Sequence, residues 1–296
     1  MKLLVIGDFH GRFPNGIKKV LKSENINIIL SCGDYSGNEK LSKLFFEYYH
    51  DSESEASIKI EKEIKKLEKK SIRDGVQVVK ELKKLKIKFF GVRGNWDPLP
   101  WEKDVGHTIT KKEKAQERKD ANKLIRLETR YFKFIDFKLK DMGSFILVGG
   151  TSSSYPAKIN KKTLREVEEE YGQAGVKRRV KQYNWRVGKY EKLFLRARKF
   201  KKPVIFLTHN CPYETKLDKV KKGPVKGEHY GSFIEKQIIR RFKPDLVLCG
   251  HMHENQGRDK VGRSVIVNSG ASFEKKYAII DWDEKKRKVK KVKFVK

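Results

Sequence analysis

The chain has 296 residues, enough to bury a sizeable core in one large domain or two. Apolar residues make up 38% and charged residues 36%, which excludes a disordered chain and requires several solvated helices or arms. The net charge of +32 favours anionic partners without naming one, and no stretch approaches the ~18 apolar residues of a membrane span.

Apolar runs of strand length recur at 3–6, 26–30, 87–92, 131–137, 145–148, 204–207, 246–248, 264–267 and 277–282. A last run, 289–295, alternates apolar residues with lysine, as an edge strand does. Helical patterns lie between them. One covers 14–23, with Pro14 suited to a first turn; a long Lys/Glu-rich pattern covers 57–85; a third, 232–242, follows a glycine. Early strands alternate with helices and later strands cluster, which predicts two packed sheets flanked by helices.

Three segments read as helical additions to one domain spanning 1–296: 51–86, 101–130 and 158–202. Within the third, residues 174–202 carry twelve Lys/Arg and one acid, Glu191. They also carry an apolar stripe, Val176, Val180, Tyr183, Val187, Tyr190, Phe194 and Ala197, at amphipathic-helix spacing. The stripe predicts packing against the body, and the opposite basic face suits phosphate backbones, so nucleic acid is a candidate partner. Gly172 and Gly175 punctuate two helices. Cys32, Cys211 and Cys249 lack zinc-finger or C-x-x-C spacing and read as small buried residues of a reducing compartment. The amino-terminal apolar stretch is too short for a signal peptide, so the expected location is cytoplasmic.

The polar residues that end the apolar runs carry the chemistry. Gly7-Asp8-Phe9-His10-Gly11 follows the first run and Gly33-Asp34 the second. Arg93-Gly94-Asn95-Trp96-Asp97 follows 87–92, Thr208-His209-Asn210 follows 204–207, and Gly250-His251-Met252-His253 follows 246–248. Five strands each deliver Asp, His or Asn at the carboxyl end, where sites assemble in α/β sheets. Pairs two apart, Asp8/His10 and His251/His253, can face one ion from a tight turn. Carboxylate, imidazole and amide oxygen suit divalent transition metals such as Mn, Fe, Ni or Zn. Two such ions need a bridging carboxylate, and Asp34 is the natural candidate.

The series G-D-x-H, G-D, G-N-x-D, H, G-H-x-H, from Gly7 to His253, resembles the calcineurin-like metallophosphoesterase superfamily, and most closely its small single-domain microbial members. His229-Tyr230-Gly231-Ser232 and Asn268-Ser269-Gly270 look like the same group. The resemblance implies an α/β/β/α four-layer sandwich of two mixed sheets. It implies one ion held by Asp8, His10, Asp34 and His253, and another by Asp34, Asn95, His209 and His251. A hydroxide between them would attack phosphorus in line, most readily in a phosphodiester substrate.

One position departs from that pattern. The third motif of the superfamily usually has a histidine where this chain has Trp96, and indole cannot deliver a proton. Either substrates with good leaving groups are preferred, or another group supplies the proton, with His229 the candidate, or the site binds metal without turnover. A nuclease of the same superfamily and a non-catalytic scaffold are the rival readings. Asp97 orients local groups or caps a turn, Arg12 and Arg93 are candidate phosphate clamps, and Trp96 is a candidate stacking surface or lid residue.

Overall fold

The computed structural model describes residues 1–50, 56–99, 110–152, 161–223 and 225–295. The expected additions therefore fall partly outside the described residues, at 51–55, 101–109 and 158–160.

The first sheet contains β1 (Lys2–Ile6), β2 (Ile28–Ser31), β3 (Lys88–Gly91), β4 (Phe132–Phe134), β11 (Tyr277–Asp283) and β12 (Lys288–Val295), in the order β12-β11-β1-β2-β3-β4. Strands β1 to β4 run parallel, while β11 and β12 are antiparallel. The second sheet contains β5 (Leu139–Asp141), β6 (Ile146–Gly149), β7 (Val204–Leu207), β8 (Leu246–Cys249), β9 (Gly257–Val261) and β10 (Ser264–Asn268), in the order β5-β6-β7-β8-β10-β9. Its centre is parallel and both edges are antiparallel. Central strands such as β2, β6 and β8 are buried at every position, which explains why they read as unbroken apolar runs. β12 alternates and lies at an edge, as its lysines predict.

Three apolar clusters are the three seams of a four-layer sandwich. Leu3, Val5, Leu30 and Val92 of the first sheet meet Leu147, Leu207, Leu248 and Val267 of the second. The outer face of the first sheet is covered by α1 (Ile17–Ser23), α3 (Ala56–Lys84) and α4 (Lys111–Ile125), through Ile17, Val78, Val79, Leu82 and Leu124. The outer face of the second is covered by α5 (Lys161–Arg198) and α6 (Phe233–Phe242), through Tyr190, Phe194, Ala197, Ile234 and Ile238. The α/β/β/α expectation holds.

Several local expectations need correction. α1 begins at Ile17 behind a left-handed Gly16, so Pro14 precedes the helix; its carbonyl accepts from Ile17 N at 3.4 Å. A helix α2 (Glu39–His50) and the short strands β5 and β9 were not expected. The apolar stripe of α5 packs against the body as expected, through Tyr183, Val187, Tyr190, Phe194 and Ala197, and the carboxyl half of α3 covers the first sheet in the same way. Gly172, at φ 64°, interrupts α5, whereas Gly175 lies within its second part. α6 starts as the sequence suggests: Ser232 caps it, its hydroxyl accepting from Glu235 N.

Candidate metal centre

The sandwich brings the carboxyl ends of β1, β2, β3, β7 and β8 to one edge. Each continues into a tight turn that carries one or two candidate ligands. Asp8, His10, Asp34 and His251 all lie in the left-handed region, at φ 51°, 46°, 53° and 69°. That conformation is uncommon for non-glycine residues and concentrates at functional sites.

Atoms of Asp8, His10 and His253 lie within 4.8 Å of one another, as do atoms of Asp8, Asp34 and His209. Asp34 Oδ2 lies 3.6 Å from His10 Nε2 and 3.4 Å from His209 Nε2, so one carboxylate oxygen faces both histidines. Asp34 Oδ1 accepts from Trp96 N at 2.9 Å. Asn95 Oδ1 lies 2.8 Å from His209 Nε2 and 3.0 Å from His251 Nδ1. All seven expected ligands thus join one constellation, and Asp8 contributes to both triads.

The donor set fits divalent cations. His209 Nδ1 lies 2.8 Å from the carbonyl of Cys32, which can only accept, so Nδ1 carries the hydrogen. In the neutral ring Nε2 is then a lone pair facing two further acceptors, Asn95 Oδ1 and Asp34 Oδ2. Such convergence calls for a positive charge between them. On the other side of Asp34, His10 Nε2 is buried without a hydrogen-bond partner among the described residues.

The electrostatics agree. Burial pushes the Asp34 carboxyl up, but its interactions with His209, His10 and the Trp96 N–H outweigh it and hold it well below the usual range. Burial likewise opposes ionisation of Asp8, and His253 overrides it. Burial, with His209 alongside, lowers His251 to about 4, which keeps its ring neutral and able to ligate. Burial also lowers His253, but Asp8 raises it further in the other direction.

The remaining expected residues fall into place differently. Asp97 is fully buried and accepts from Tyr35 N at 3.2 Å, Ser36 N at 2.9 Å and Gly94 N at 2.9 Å. It ties the Asp34 turn to the Asn95 turn, and burial followed by the charge of Asp34 pushes it up to about 6. Arg93 does not sit on the surface as a clamp. It is 3% exposed, and its Nε donates to Asp136 Oδ2 at 3.0 Å. Arg12 is exposed at the rim, 6.0 Å above Phe273, whose ring packs on His10 and His253. Trp96 packs against Gly37 and edge-on to His10, which places its ring beside the ligands. His229 is held by Asp218 at 2.9 Å and packs on Tyr213; among the described residues none of its contacts reaches the ligand cluster.

Sequence reading missed the braces behind the ligands. Ser152 N donates to the Arg93 carbonyl at 3.1 Å, and its hydroxyl donates to Asn210 Oδ1 at 3.1 Å. It thereby joins the turns of Asn95 and His209. Arg186 of α5 is 3% exposed and its Nη1 donates to the Ser152 carbonyl at 2.5 Å. Tyr190, one turn on, donates to buried Glu235 at 3.0 Å and receives Thr151 N at 3.3 Å. Asn268 Nδ2 donates to the Met252 carbonyl at 2.9 Å and steadies the last motif. Arg186, three residues after Tyr183 and four before Tyr190 and so on the stripe's side of the helix, was the one available signal.

A two-sheet sandwich with a carboxylate–histidine cluster at its strand ends defines a metal-site hydrolase architecture. The family model for calcineurin-like phosphoesterases matches residues 1–255, and the chain belongs to that family of metal-dependent phosphoric ester hydrolases. Uncharacterized protein MJ1162 of Methanocaldococcus jannaschii is 35% identical over 69 residues, which are 23% of this chain and 31% of that protein. One crystal structure is 19% identical, covering 100% of this chain and 98% of its own, at a TM-score of 0.59. The crystal structure of TT1561 of Thermus thermophilus is 14% identical, covering 99% and 97%, at 0.54. Both share the fold. Among the described residues no helix is long and apolar enough to cross a membrane.

Proposed function

We propose that the chain is a dinuclear phosphodiesterase. The observation that carries this reading is Asp34 Oδ2 lying between His10 Nε2 and His209 Nε2. Asp8, His10, Asp34 and His253 would hold one divalent ion, and Asp34, Asn95, His209 and His251 the other. When bound, such a pair supplies Lewis-acid charge and an activated water.

The chain's own residues set the rest. Asp97 and Ser152 fix the turns so that the ligand atoms converge before any ion arrives. Arg12, exposed above Phe273 and 3.6 Å from the Glu39 carboxylate, would exchange that exposed partner for an incoming phosphate. Trp96 narrows the mouth beside His10 and supplies no transferable proton, which favours leaving groups that depart as stable anions. Aryl and other activated diesters meet that condition.

The test is metal analysis of the purified protein followed by hydrolysis of an aryl phosphodiester with Mn, Fe, Ni or Zn. Metal-dependent turnover is expected, and Asp34→Asn or His209→Ala should abolish it. A protein that retains two ions and turns over no phosphoester would be a metal-stabilised scaffold instead.

A further inference from the structure

We propose that the second part of α5 carries a docking stripe for single-stranded nucleic acid. Binding there is a separate property from hydrolysis and does not depend on the metal-centre reading.

The stripe is a feature of one helix face. At about 100° per residue, Lys181, Trp185, Lys189, Lys192 and Arg196 fall within about 80° of arc. All five are exposed, and Trp185 is 41% exposed. The opposite face holds Tyr190, Phe194 and Ala197, which are buried against the second sheet. The basic residues therefore point to solvent because the helix is anchored from behind. The stripe runs about 22 Å from Lys181 to Arg196, at about 1.5 Å per residue.

Its charge is uncompensated. Among the described residues, Lys181, Lys192 and Arg196 have no acidic partner within ion-pair distance. Glu191, the one acid between 174 and 202, is taken by Arg241 of α6. Some surface lysines elsewhere are paired, as in Lys40–Glu63, Lys70–Asp74 and Lys84–Glu81. The part of α5 before Gly172 carries Glu166, Glu168, Glu169 and Glu170, two of them paired with Lys162 and Arg165. The charge excess thus begins after the kink.

An exposed aromatic interrupts the cations. Lys189 Nζ lies over the Trp185 ring, 5.5 Å from its centre, and Phe137 meets that ring edge-on, so the exposed indole is steadied from the body and already holds a cation that a stacking base would displace toward a phosphate. Cations that follow a backbone and an aromatic that stacks a base are how single strands are held; a duplex keeps its base faces inside and offers Trp185 nothing to stack on. The stripe is also placed to serve the site. α5 leads into β7, and Arg186 and Tyr190 are bonded to Ser152 and Thr151 at the carboxyl end of β6. The upper end of the stripe therefore lies at the strand edge that carries the ligands.

The experiment measures anisotropy of a fluorescein-labelled mixed-sequence single strand with the full chain, in chelator, so that no hydrolysis intervenes. One variant replaces Lys181, Lys189, Lys192 and Arg196 by Gln. A control removes equal charge from the other basic edge, replacing Lys286, Lys288, Lys290 and Lys291 by Gln. The α5 variant should bind at least about tenfold more weakly, with the salt slope reduced by about 0.7 per lost contact. Trp185→Ala should weaken binding about fivefold or more. The control should stay within about twofold of the parent. Equal losses in both charge variants would reduce the effect to net charge and overturn the proposal. So would a duplex bound as tightly as the single strand with no effect of Trp185→Ala, or a preference for anionic vesicles over the oligonucleotide. Hydrolysis of a small aryl diester by the α5 variant should remain at the parent level, which keeps this test apart from that of the metal centre.

Discussion

Gly250 and Gly94 show how little room the ligands have. A Cβ on Gly250 would lie 2.5 Å from Asp8 Oδ2, and one on Gly94 would strike the Asp34 carboxylate. We predict that Gly250→Ala lowers metal content, measured by elemental analysis, while the far-UV circular dichroism stays that of the parent. Glu235 offers a pH test away from the ligands. It is fully buried, its Oε2 has no hydrogen-bond partner among the described residues, and burial raises its pKa despite the opposing charge of Arg186. A carboxyl raised in the folded state contributes stability below its unfolded value and loses it as pH rises through the folded value. Glu235→Gln should therefore raise the Tm above the parent's at alkaline pH, and the two curves should converge in acid. A constant gap across pH would contradict the assignment.

At the scale of elements, α5 both covers the second sheet and braces the site. Arg186 reaches the metal-ligand turns through Ser152, so it acts as a positioning residue. Removing such outer supports typically lowers metal affinity about 10–100-fold. Arg186→Leu is expected to lower affinity by about tenfold in a metal titration, with partial recovery in Arg186→Lys. Phe194 stacks on Phe242 and meets Phe206 edge-on, and Phe194→Ala should cost about 3–5 kcal/mol in chemical denaturation. The legibility of the fold follows the same logic. Buried parallel strands announce themselves as apolar runs, and the ligands were legible because each run ends in a polar residue beside a glycine. β5 (Leu-Lys-Asp) and most of β9 lacked that signal, being short, charged edge strands. Arg93 was misjudged because its partner, Asp136, is 43 residues away, and no local pattern predicts that pairing. Asp218, a hub for His229, Gly231, Glu214 and Thr215, was invisible for a similar reason.

For the whole molecule, the net charge of +32 creates a field that steers anions. Screening weakens that field over about 8 Å at physiological salt. With an anionic diester, kcat/KM should fall as ionic strength rises while kcat holds, read from saturation curves at several salt concentrations. Equal losses in both would place the effect after encounter. The candidate ligands also span the chain, since Asp8 accepts from His251 N across 243 positions and His209 meets Cys32 across 177. Asp8, His10, Asp34 and Asn95 hang from the first sheet, and His209, His251 and His253 from the second. No short stretch of nascent chain holds a full set, so we expect the sandwich to close before both ions are held. Folding then precedes loading, and a chain made where metal is scarce would accumulate as a folded, idle apoprotein, ready to be charged when metal returns.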